Sequence, residues 1–473
     1  MKKTLSLLLS LALMLSLALP ASAAETEYPA LEGGVTEIQK YGNIVLDIDP
    51  ADLEAGGYTY GDLLTVTVNG TAYEMPLCTN YSDVDTGALV LRDSEGVLIA
   101  AINMGDFATT NGIATKVTAE DGSYIWEFPE GQSLETIMVS ISMKEAGGYY
   151  DQYLIHQLTR TNERADYASD AVFANFRNVA VGDLGENALF RSSSPVNNEL
   201  NRAAYADDLA EASGVQTVMN LADSSAAIEG YMAAEGFGSP YYQSLYEAGK
   251  VIALNLGVDF TAADFKTGLA EGLRFFAENE GPYLVHCNEG KDRAGFVSAL
   301  LECLMGATYD EVVADYMTTY VNYYHLEEGS EQYEAVKNSN IVSILANITG
   351  AAEGADLTTV DLAAAAEDYM LDAGLTADEI SALKANLAQD YTAEVETPVE
   401  EPAEETPEEE TLAEEPASQA RTYTVEAGDC LWNIAYEVYG TGTRWTVIYE
   451  ANRDTIRDPG MIYIGQVLTI PAA

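Results

Sequence analysis

A cysteine and an arginine separated by a short polar loop, Cys287 and Arg293, are the residues whose types and spacing could do chemistry. They belong to the segment Pro282-Tyr-Leu-Val-His-Cys-Asn-Glu-Gly-Lys-Asp-Arg-Ala-Gly295, in which an apolar run precedes the loop. Successive backbone N–H groups, followed by a helix that begins near Arg293, can hold an anion. The guanidinium of Arg293 can bind two oxygens of that anion. The positive electrostatic potential of the N–H groups and the guanidinium also favours the thiolate form of Cys287, which is a competent nucleophile.

The chain around this loop must place it between a strand and a helix. From about residue 165 to 390, strand-like runs alternate with helical stretches, which predicts an α/β domain with a parallel sheet. The predicted strands are Thr217–Leu221, Val251–Leu256 and Tyr283–His286, and the predicted helices are Phe265–Glu278 and Ala294–Met305. Residues 361–387 also look helical, and they either pack on this domain or form a separate spacer.

The loop His286-Cys-Asn-Glu-Gly-Lys-Asp-Arg-Ala-Gly295 resembles the phosphate loop of the protein tyrosine phosphatase superfamily. It is most similar to bacterial tyrosine and dual-specificity phosphatases with Gly-Lys-Asp-Arg. Asn175-Phe-Arg177, Phe190-Arg-Ser192 and Asp315-Tyr-Met317 extend the resemblance over about residues 170–330. It implies hydrolysis of phosphate monoesters through a phosphocysteine on Cys287, with phosphoryl oxygens bound by Arg293. The substrate-binding residues that it implies are His286, Asn288, Glu289, Gly290, Lys291 and Ala294.

Two positions of the loop bear on turnover and substrate. Ala294 stands where the family usually has Thr or Ser, whose hydroxyl helps the thiolate leave, so the resemblance implies slow turnover. Lys291 either pairs with an extra phosphate, as in relatives that act on phosphoinositides, or is an ordinary solvated lysine. The implied substrate is a phosphotyrosine protein, a phosphoinositide or an inositol phosphate.

A general acid must protonate the leaving oxygen. The family usually supplies an Asp about thirty residues before the cysteine, and Asp259 stands 28 residues upstream of Cys287. Asp259 could instead cap a helix over 260–266. Asp264 is a weaker neighbour, and Asp292 is a rival because relatives with Gly-Lys-Asp-Arg can use that position.

Residues 421–473 resemble a LysM domain, a βααβ fold that binds N-acetylglucosamine-containing glycans such as peptidoglycan. The pieces that carry the resemblance include Gly428-Asp-Cys-Leu-Trp432, Tyr439-Gly440, Asn452, Gly465-Gln466 and Ile470-Pro471. The implied glycan-binding residues are Gly428, Asp429, Asn452 and Ile456. Trp432, Ile434 and Ile448 are instead expected in the core.

Residues 25–160 show short apolar runs divided by turn signals, which predict β-strands in a small barrel or sandwich. The runs are Leu63–Val68, Ala88–Leu91 before Asp93, and Val97–Ile102. Tyr41-Gly-Asn-Ile-Val45, Tyr60-Gly-Asp62, Asn80-Tyr-Ser-Asp-Val84 and Leu98–Asn103 resemble the C-terminal β-domain of SAM hydroxide adenosyltransferases. The partner domain with that family's catalytic aspartate has no counterpart, so we expect a β scaffold for substrate presentation or binding.

Composition constrains the partners. The chain of 473 residues has 22 basic and 76 acidic residues and a net charge of -54, which argues against binding nucleic acid. Residues 1–23 resemble a cleaved signal peptide, with Lys2 and Lys3 before an apolar run and Ala21-Ser-Ala23 after it, although an uncleaved anchor stays open. No other segment is expected to span a membrane. Residues 391–420 form an acidic linker, with eleven Glu and four Pro within 394–416.

Four cysteines and three histidines predict neither a metal site nor a dense disulfide framework, and no cofactor is predicted. One disulfide remains possible. The sequence therefore predicts a secreted, cell-wall-associated cysteine phosphatase tethered to peptidoglycan. The alternatives are a catalytically inactive adaptor that recognises phosphorylated ligands and, more remotely, an adenosyltransferase.

Overall fold

The computed structural model describes residues 28–391 apart from 95, 119, 121 and 353, together with 421–425, 431, 434–435, 438, 445–453, 456 and 466–471. The signal segment 1–23 and the linker beyond residue 391 lie outside the described residues. The described chain divides after Gln157 into two compact units. Within the described ranges, no helix combines the length and apolarity that crossing a bilayer requires.

The first unit is a closed barrel of seven strands in the order β1-β2-β6-β5-β4-β3-β9. Buried and more exposed residues alternate along its strands, as expected when one face of each strand lines the core. Along β3, Leu64, Val66 and Val68 are buried while the residues between them are partly exposed. Neighbouring strands are antiparallel except β4 and β5, and β7 and β8 form a separate two-stranded sheet. The bounds are β1 Leu31–Ile38, β2 Ile44–Leu46, β3 Leu63–Val68, β4 Thr71–Cys78, β5 Leu89–Ser94, β6 Val97–Ile102, β7 Thr115–Thr118, β8 Tyr124–Glu127 and β9 Met138–Glu145, with helices α1 Pro50–Ala55, α2 Phe107–Thr110 and α3 Tyr150–His156.

The barrel settles the choice between barrel and sandwich. The prediction for β3 and β6 is confirmed to the residue. The turn expected at Asp93 is wrong, because Asp93 still pairs with Leu98 and β5 continues to Ser94.

The second unit contains a five-stranded sheet in the order β10-β11-β14-β12-β13. The strands β11 to β14 are parallel, and β10 is an antiparallel edge. The bounds are β10 Arg177–Asn178, β11 Leu189–Ser192, β12 Thr217–Asn220, β13 Val251–Ala253 and β14 Tyr283–His286. The predicted strand over 251–256 ends early because Asn255 adopts a left-handed conformation with φ 49°.

Helices cover the sheet. One of them, α8, has a buried face of Phe265, Leu269, Leu273 and Phe276 at helical spacing. The bounds are α4 Asp170–Phe173, α5 Ala203–Ala212, α6 Ser225–Met232, α7 Pro240–Glu247, α8 Ala263–Glu278, α9 Asp292–Leu304, α10 Tyr309–Tyr324, α11 Glu331–Val336, α12 Ser343–Thr349, α13 Leu362–Asp372 and α14 Ala377–Leu387, with a π-helical stretch Lys337–Val342 between α11 and α12.

The stretch 361–387 is two helices rather than one, because Gly374 has φ 100° between them. Both belong to this unit: Lys266 pairs with Asp372 at 2.9 Å, and Arg274 pairs with Glu379 at 3.0 Å. The chain stays attached as far as Tyr391, whose N–H donates to the Glu186 carbonyl at 2.8 Å and whose hydroxyl accepts from the Gly281 N–H at 3.1 Å. The separate-spacer alternative is therefore excluded.

The described part of the C-terminal segment has two antiparallel strands, β15 Arg421–Thr424 and β16 Val467–Ile470, and helix α15 Trp445–Ala451. Ile434 and Ile448 are buried together with Leu468 and Ile470, as predicted for the core. Trp432 and most of the first predicted helix lie outside the described residues.

Candidate active site

Cys287 is the first residue after β14, the central strand of the parallel sheet. His286 pairs with Ser192 of β11 on one side and with Asn220 of β12 on the other, so three carboxyl ends meet here. In open α/β sheets this edge is where ligands bind. Cys287 is 3% exposed, and Arg293 lies in the first turn of α9.

Carbonyl groups of the loop between Cys287 and α9 turn outward. The Asn288 carbonyl accepts from the Ser194 N–H at 3.1 Å, and the Glu289 carbonyl accepts from the Tyr323 hydroxyl at 2.9 Å. The Gly290 carbonyl accepts from Asn175 Nδ2 at 3.1 Å and from Arg191 at 2.8 Å. Since the C=O and N–H of one trans peptide unit point in opposite directions, the N–H groups that follow these carbonyls turn towards the loop centre. Such a ring of N–H groups is an anion nest.

Gly290 is required by this geometry. Its φ is 69°, and a Cβ atom there would lie 2.4 Å from the carbonyl oxygen of Ser192. Any other residue would therefore push the loop away from β11.

A buried ionic network holds the nest from behind. Arg191 is fully buried and donates Nη2 to the Gly290 carbonyl at 2.8 Å and Nη1 to Asp315 at 2.7 Å. Arg177 donates Nε to the same carboxylate at 2.7 Å. Burial alone would raise the pKa of Asp315, but Arg177 and Arg191 hold it well below its usual range. The sequence showed these residues only as parts of a resemblance; their role depends on contacts more than 120 positions apart in the chain.

The residues on either side of the loop, His286 in β14 and Arg293 in α9, are each held by contacts with other elements. Arg293 donates Nη1 to the Leu256 carbonyl at 2.9 Å, so the segment after β13 holds the guanidinium. His286 is fully buried, with its ring edge-on to Tyr242, and burial lowers its pKa to about 3. His286 is therefore a neutral support beneath the loop, which corrects its assignment as a substrate contact.

The acid candidates differ in environment. Asp259 and Asp264 are exposed, and Asp259 Oδ1 accepts from the Thr261 hydroxyl at 2.6 Å and from its N–H at 3.0 Å, which lowers the Asp259 pKa. It does not cap α8, whose N-cap residue is Ala262. Asp292 is the first residue of α9, with a side chain 47% exposed. Desolvation raises its pKa; Lys291 opposes that effect and Glu289 adds to it.

The side chains at the outer edge of the loop pair with one another. Glu289 contacts Arg160 at 2.5 Å and Lys291 at 3.5 Å. Lys291 also lies 3.8 Å from Asp292 and 3.5 Å from the Tyr324 hydroxyl. Neither pairing of Glu289 was expected from the sequence, and the partner Arg160 is 129 positions away along the chain.

The other described cysteines are structural. Cys78 and Cys303 are free and fully buried, and burial raises the pKa of each thiol to about 12. A thiol of that kind is unreactive at neutral pH. Cys430 lies outside the described residues.

Two of the four predicted glycan-binding residues, Asn452 and Ile456, lie in the described part of the chain, and both are buried. Ile456 is 1% exposed in the core. Asn452 is buried and donates Nδ2 to the carbonyls of Ile448 and Thr469, each at 2.7 Å. Both residues serve the fold, which corrects their assignment as glycan contacts, whereas Gly428 and Asp429 lie outside the described residues.

Comparison with known families identifies three domains along the chain. A tyrosine phosphatase family domain matches residues 246–389, which include the loop but not the motifs at 175–177 and 190–192. A LysM domain matches residues 423–471, and a SAM hydroxide adenosyltransferase C-terminal domain matches residues 33–119. The architecture expected from the sequence is confirmed.

Individual relatives match short parts of the chain. The potassium binding protein Kbp of Escherichia coli O6:H1 is 45% identical over 56 residues, which are 12% of this chain and 38% of that protein. The resuscitation-promoting factor Rpf of Micrococcus luteus is 46% identical over 56 residues, 11% of this chain and 24% of that protein. The chain thus spans well under half of each. A solved structure of an uncharacterized conserved protein from Thermotoga maritima is 21% identical with a TM-score of 0.18, covering 24% of this chain and 35% of that one.

Proposed function

We propose that this protein is a cell-wall-associated phosphatase that hydrolyses phosphate monoesters with Cys287 as nucleophile and Arg293 as a ligand of the phosphoryl oxygens. The observation that carries the proposal is the outward orientation of the loop carbonyls, because it leaves an anion nest directly after Cys287 and before α9. The tyrosine phosphatase family domain that contains this loop supports the same reading.

The chemistry proceeds in two steps. The Cys287 thiolate attacks phosphorus while the ester oxygen leaves and takes a proton from a carboxylic acid, which gives a phosphocysteine and the free alcohol. Water then attacks the phosphocysteine, the same carboxylate accepts its proton, and the products are inorganic phosphate and the thiolate. The N–H groups of the nest and the Arg293 guanidinium stabilise charge on the phosphoryl oxygens in both steps.

Asp292 is the acid that we favour. A general acid works best when its pKa lies near the operating pH, and desolvation raises the pKa of Asp292 above the ordinary aspartate value, whereas that of Asp259 is lowered. Asp259 has a lowered pKa and an exposed side chain already engaged by Thr261. This choice reverses the preference that chain spacing gave to Asp259.

The proposed location follows from the C-terminal part of the chain. The LysM domain supports attachment to peptidoglycan. The acidic linker and the signal-like segment 1–23 support an exported protein in which the phosphatase unit works at a distance from its anchor. Phosphotyrosine proteins and inositol phosphates are the substrate classes proposed.

Hydrolysis of p-nitrophenyl phosphate by the full chain tests the proposal. Cys287→Ser should abolish inorganic phosphate release, whereas the control Cys78→Ser, a buried thiol in the other unit, should retain it. Equal rates for the parent and Cys287→Ser would exclude Cys287 as the nucleophile. Proteolytic release of the LysM domain should abolish peptidoglycan pull-down while sparing hydrolysis; persistent pull-down would place wall binding elsewhere.

A catalytically inactive adaptor is the second candidate, and Ala294 favours it because no hydroxyl is present there to assist release of the thiolate. The two candidates separate in one measurement. An adaptor binds a phosphotyrosine peptide by calorimetry and releases no phosphate from it over hours, whereas the enzyme releases phosphate.

A further inference from the structure

Four charged side chains form a cluster at the outer edge of the phosphate loop, which we call the loop rim: Arg160, Glu289, Lys291 and Asp292. Glu289 lies between the two cations, 2.5 Å from Arg160 and 3.5 Å from Lys291. Lys291 has a second carboxylate, Asp292, at 3.8 Å. Two basic and two carboxyl side chains therefore pair within the loop rim, and Glu289 contacts both basic groups.

The pairs at the loop rim are largely shielded from water. The side chains of Arg160, Lys291 and Glu289 are 13%, 19% and 27% exposed. Shielded pairs are screened less by salt than surface pairs, and breaking one leaves a partner without compensation. Lys291 and Arg160 outweigh desolvation and lower the pKa of Glu289, so the carboxylate is charged at neutral pH.

Arg160 is also fixed in place. Its guanidinium lies 5.4 Å from the ring centroid of Tyr323, whose hydroxyl donates to the Glu289 carbonyl. Buried Arg202 holds the neighbouring backbone by donating Nη2 to the Thr161 carbonyl at 3.1 Å. The first residues of the second unit, ahead of α4, thus bring a cation to the loop, and Glu289 pairs with it there.

This balance bears on which phosphate esters the nest accepts. A substrate with a second phosphate beside the scissile one brings about two more negative charges to the loop rim. Lys291 would have to leave Glu289 and Asp292 to bind that phosphate, and the Glu289 carboxylate would repel it. An ester without a second phosphate binds without breaking the ion pairs of Lys291 and without repulsion of a second phosphate by Glu289.

We propose that Glu289 is a specificity-determining residue that holds Lys291 and Arg160 in ion pairs and so selects phosphate monoesters lacking a vicinal second phosphate. The inference rests on the proposed phosphatase function and narrows its substrate class to monophosphorylated esters, with vicinal inositol bisphosphates as poor substrates.

The test compares kcat/KM for an inositol monophosphate and a vicinal inositol bisphosphate, measured as inorganic phosphate released by the full chain. The parent should prefer the monophosphate. Glu289→Gln keeps the size of the side chain and should shift the ratio towards the bisphosphate by about tenfold, the worth of one charge-assisted contact. Adding Lys291→Met should cancel that shift, and Glu328→Gln, an exposed control, should leave the parental ratio.

Two results would overturn the inference: a parent that does not prefer the monophosphate, or a folded Glu289→Gln variant with an unchanged ratio. If circular dichroism shows that Glu289→Gln does not fold, Arg160→Gln is the variant that tests the inference. It leaves the Glu289 carboxylate without its arginine partner and should move the kcat/KM ratio further towards the monophosphate. Absence of any hydrolysis by the parent would refute the proposed function instead. Calorimetric affinities of Cys287→Ser, with and without Glu289→Gln, for the same two inositol phosphates would then decide the specificity separately.

Discussion

Replacing Asp315 by Asn should destabilise the second unit strongly, because this carboxylate compensates the charges of fully buried Arg191 and of Arg177, whose side chain is 15% exposed. It accepts three charge-assisted hydrogen bonds: from Arg177 Nε at 2.7 Å and Nη2 at 3.2 Å, and from Arg191 Nη1 at 2.7 Å. Asn keeps the shape but removes the charge and turns an N–H₂ group towards one guanidinium. Loss of one partner from a buried ion pair costs about 3–5 kcal/mol, a large fraction of the roughly 5–15 kcal/mol that stabilises a domain.

The same change should slow hydrolysis, since Arg191 also holds the Gly290 carbonyl at 2.8 Å and its position depends on Asp315. Urea denaturation followed by circular dichroism gives the change in stability, and loss of phosphate release with urea reports the second unit alone. Asp208→Asn, an exposed position on α5, is the matched control and should alter the free energy of unfolding by less than about 0.5 kcal/mol.

The pH dependence supplies an independent check. A carboxyl group whose pKa is lowered by folding contributes stability above its unfolded pKa of about 3.9, and that contribution is lost as pH falls through the folded value. The difference between the parent and Asp315→Asn should therefore shrink as pH falls below about pH 4. A variant as stable as Asp208→Asn at pH 7 would refute the compensating role of this carboxylate.

Three further predictions concern the loop and α9. Asp292→Asn should lower kcat/KM by about 100-fold or more and flatten the alkaline limb of the pH profile, whereas Asp259→Asn should do neither; the reverse result would assign the acid to Asp259. Ala294→Ser should raise steady-state turnover relative to the first-turnover burst, and an unchanged ratio would show that the hydroxyl is dispensable in this chain. Glu302 is buried and desolvation raises its pKa, so its contribution to stability is fully present below about pH 4 and declines as pH rises. The free energy of unfolding of Glu302→Gln, measured by urea denaturation, should therefore rise relative to that of the parent from pH 4 to pH 8. A difference in this free energy that does not depend on pH would contradict a raised pKa of Glu302.

Short, strongly patterned elements were predictable from sequence. The strand Tyr283–His286 is confirmed to the residue, because a short, mainly apolar run directly before a polar loop is typical of a buried strand. Helix α9 begins two residues before the predicted Ala294. The division of 361–387 into two helices was missed although Gly374 signals it. The pairs of Asp315 with Arg177 and Arg191, and of Glu289 with Arg160, could not be predicted, because they join residues far apart in the chain through packing that local sequence pattern does not encode.

The attachment of Tyr391 has a mechanical consequence. A protein anchored through its C-terminal part is pulled at this residue, which bonds to Glu186 and to Gly281, just ahead of β14. Cys287 lies at the opposite end of the same strand. Tension on the proposed anchor would therefore reach the sheet first at its amino edge, at the end of β14 opposite Cys287.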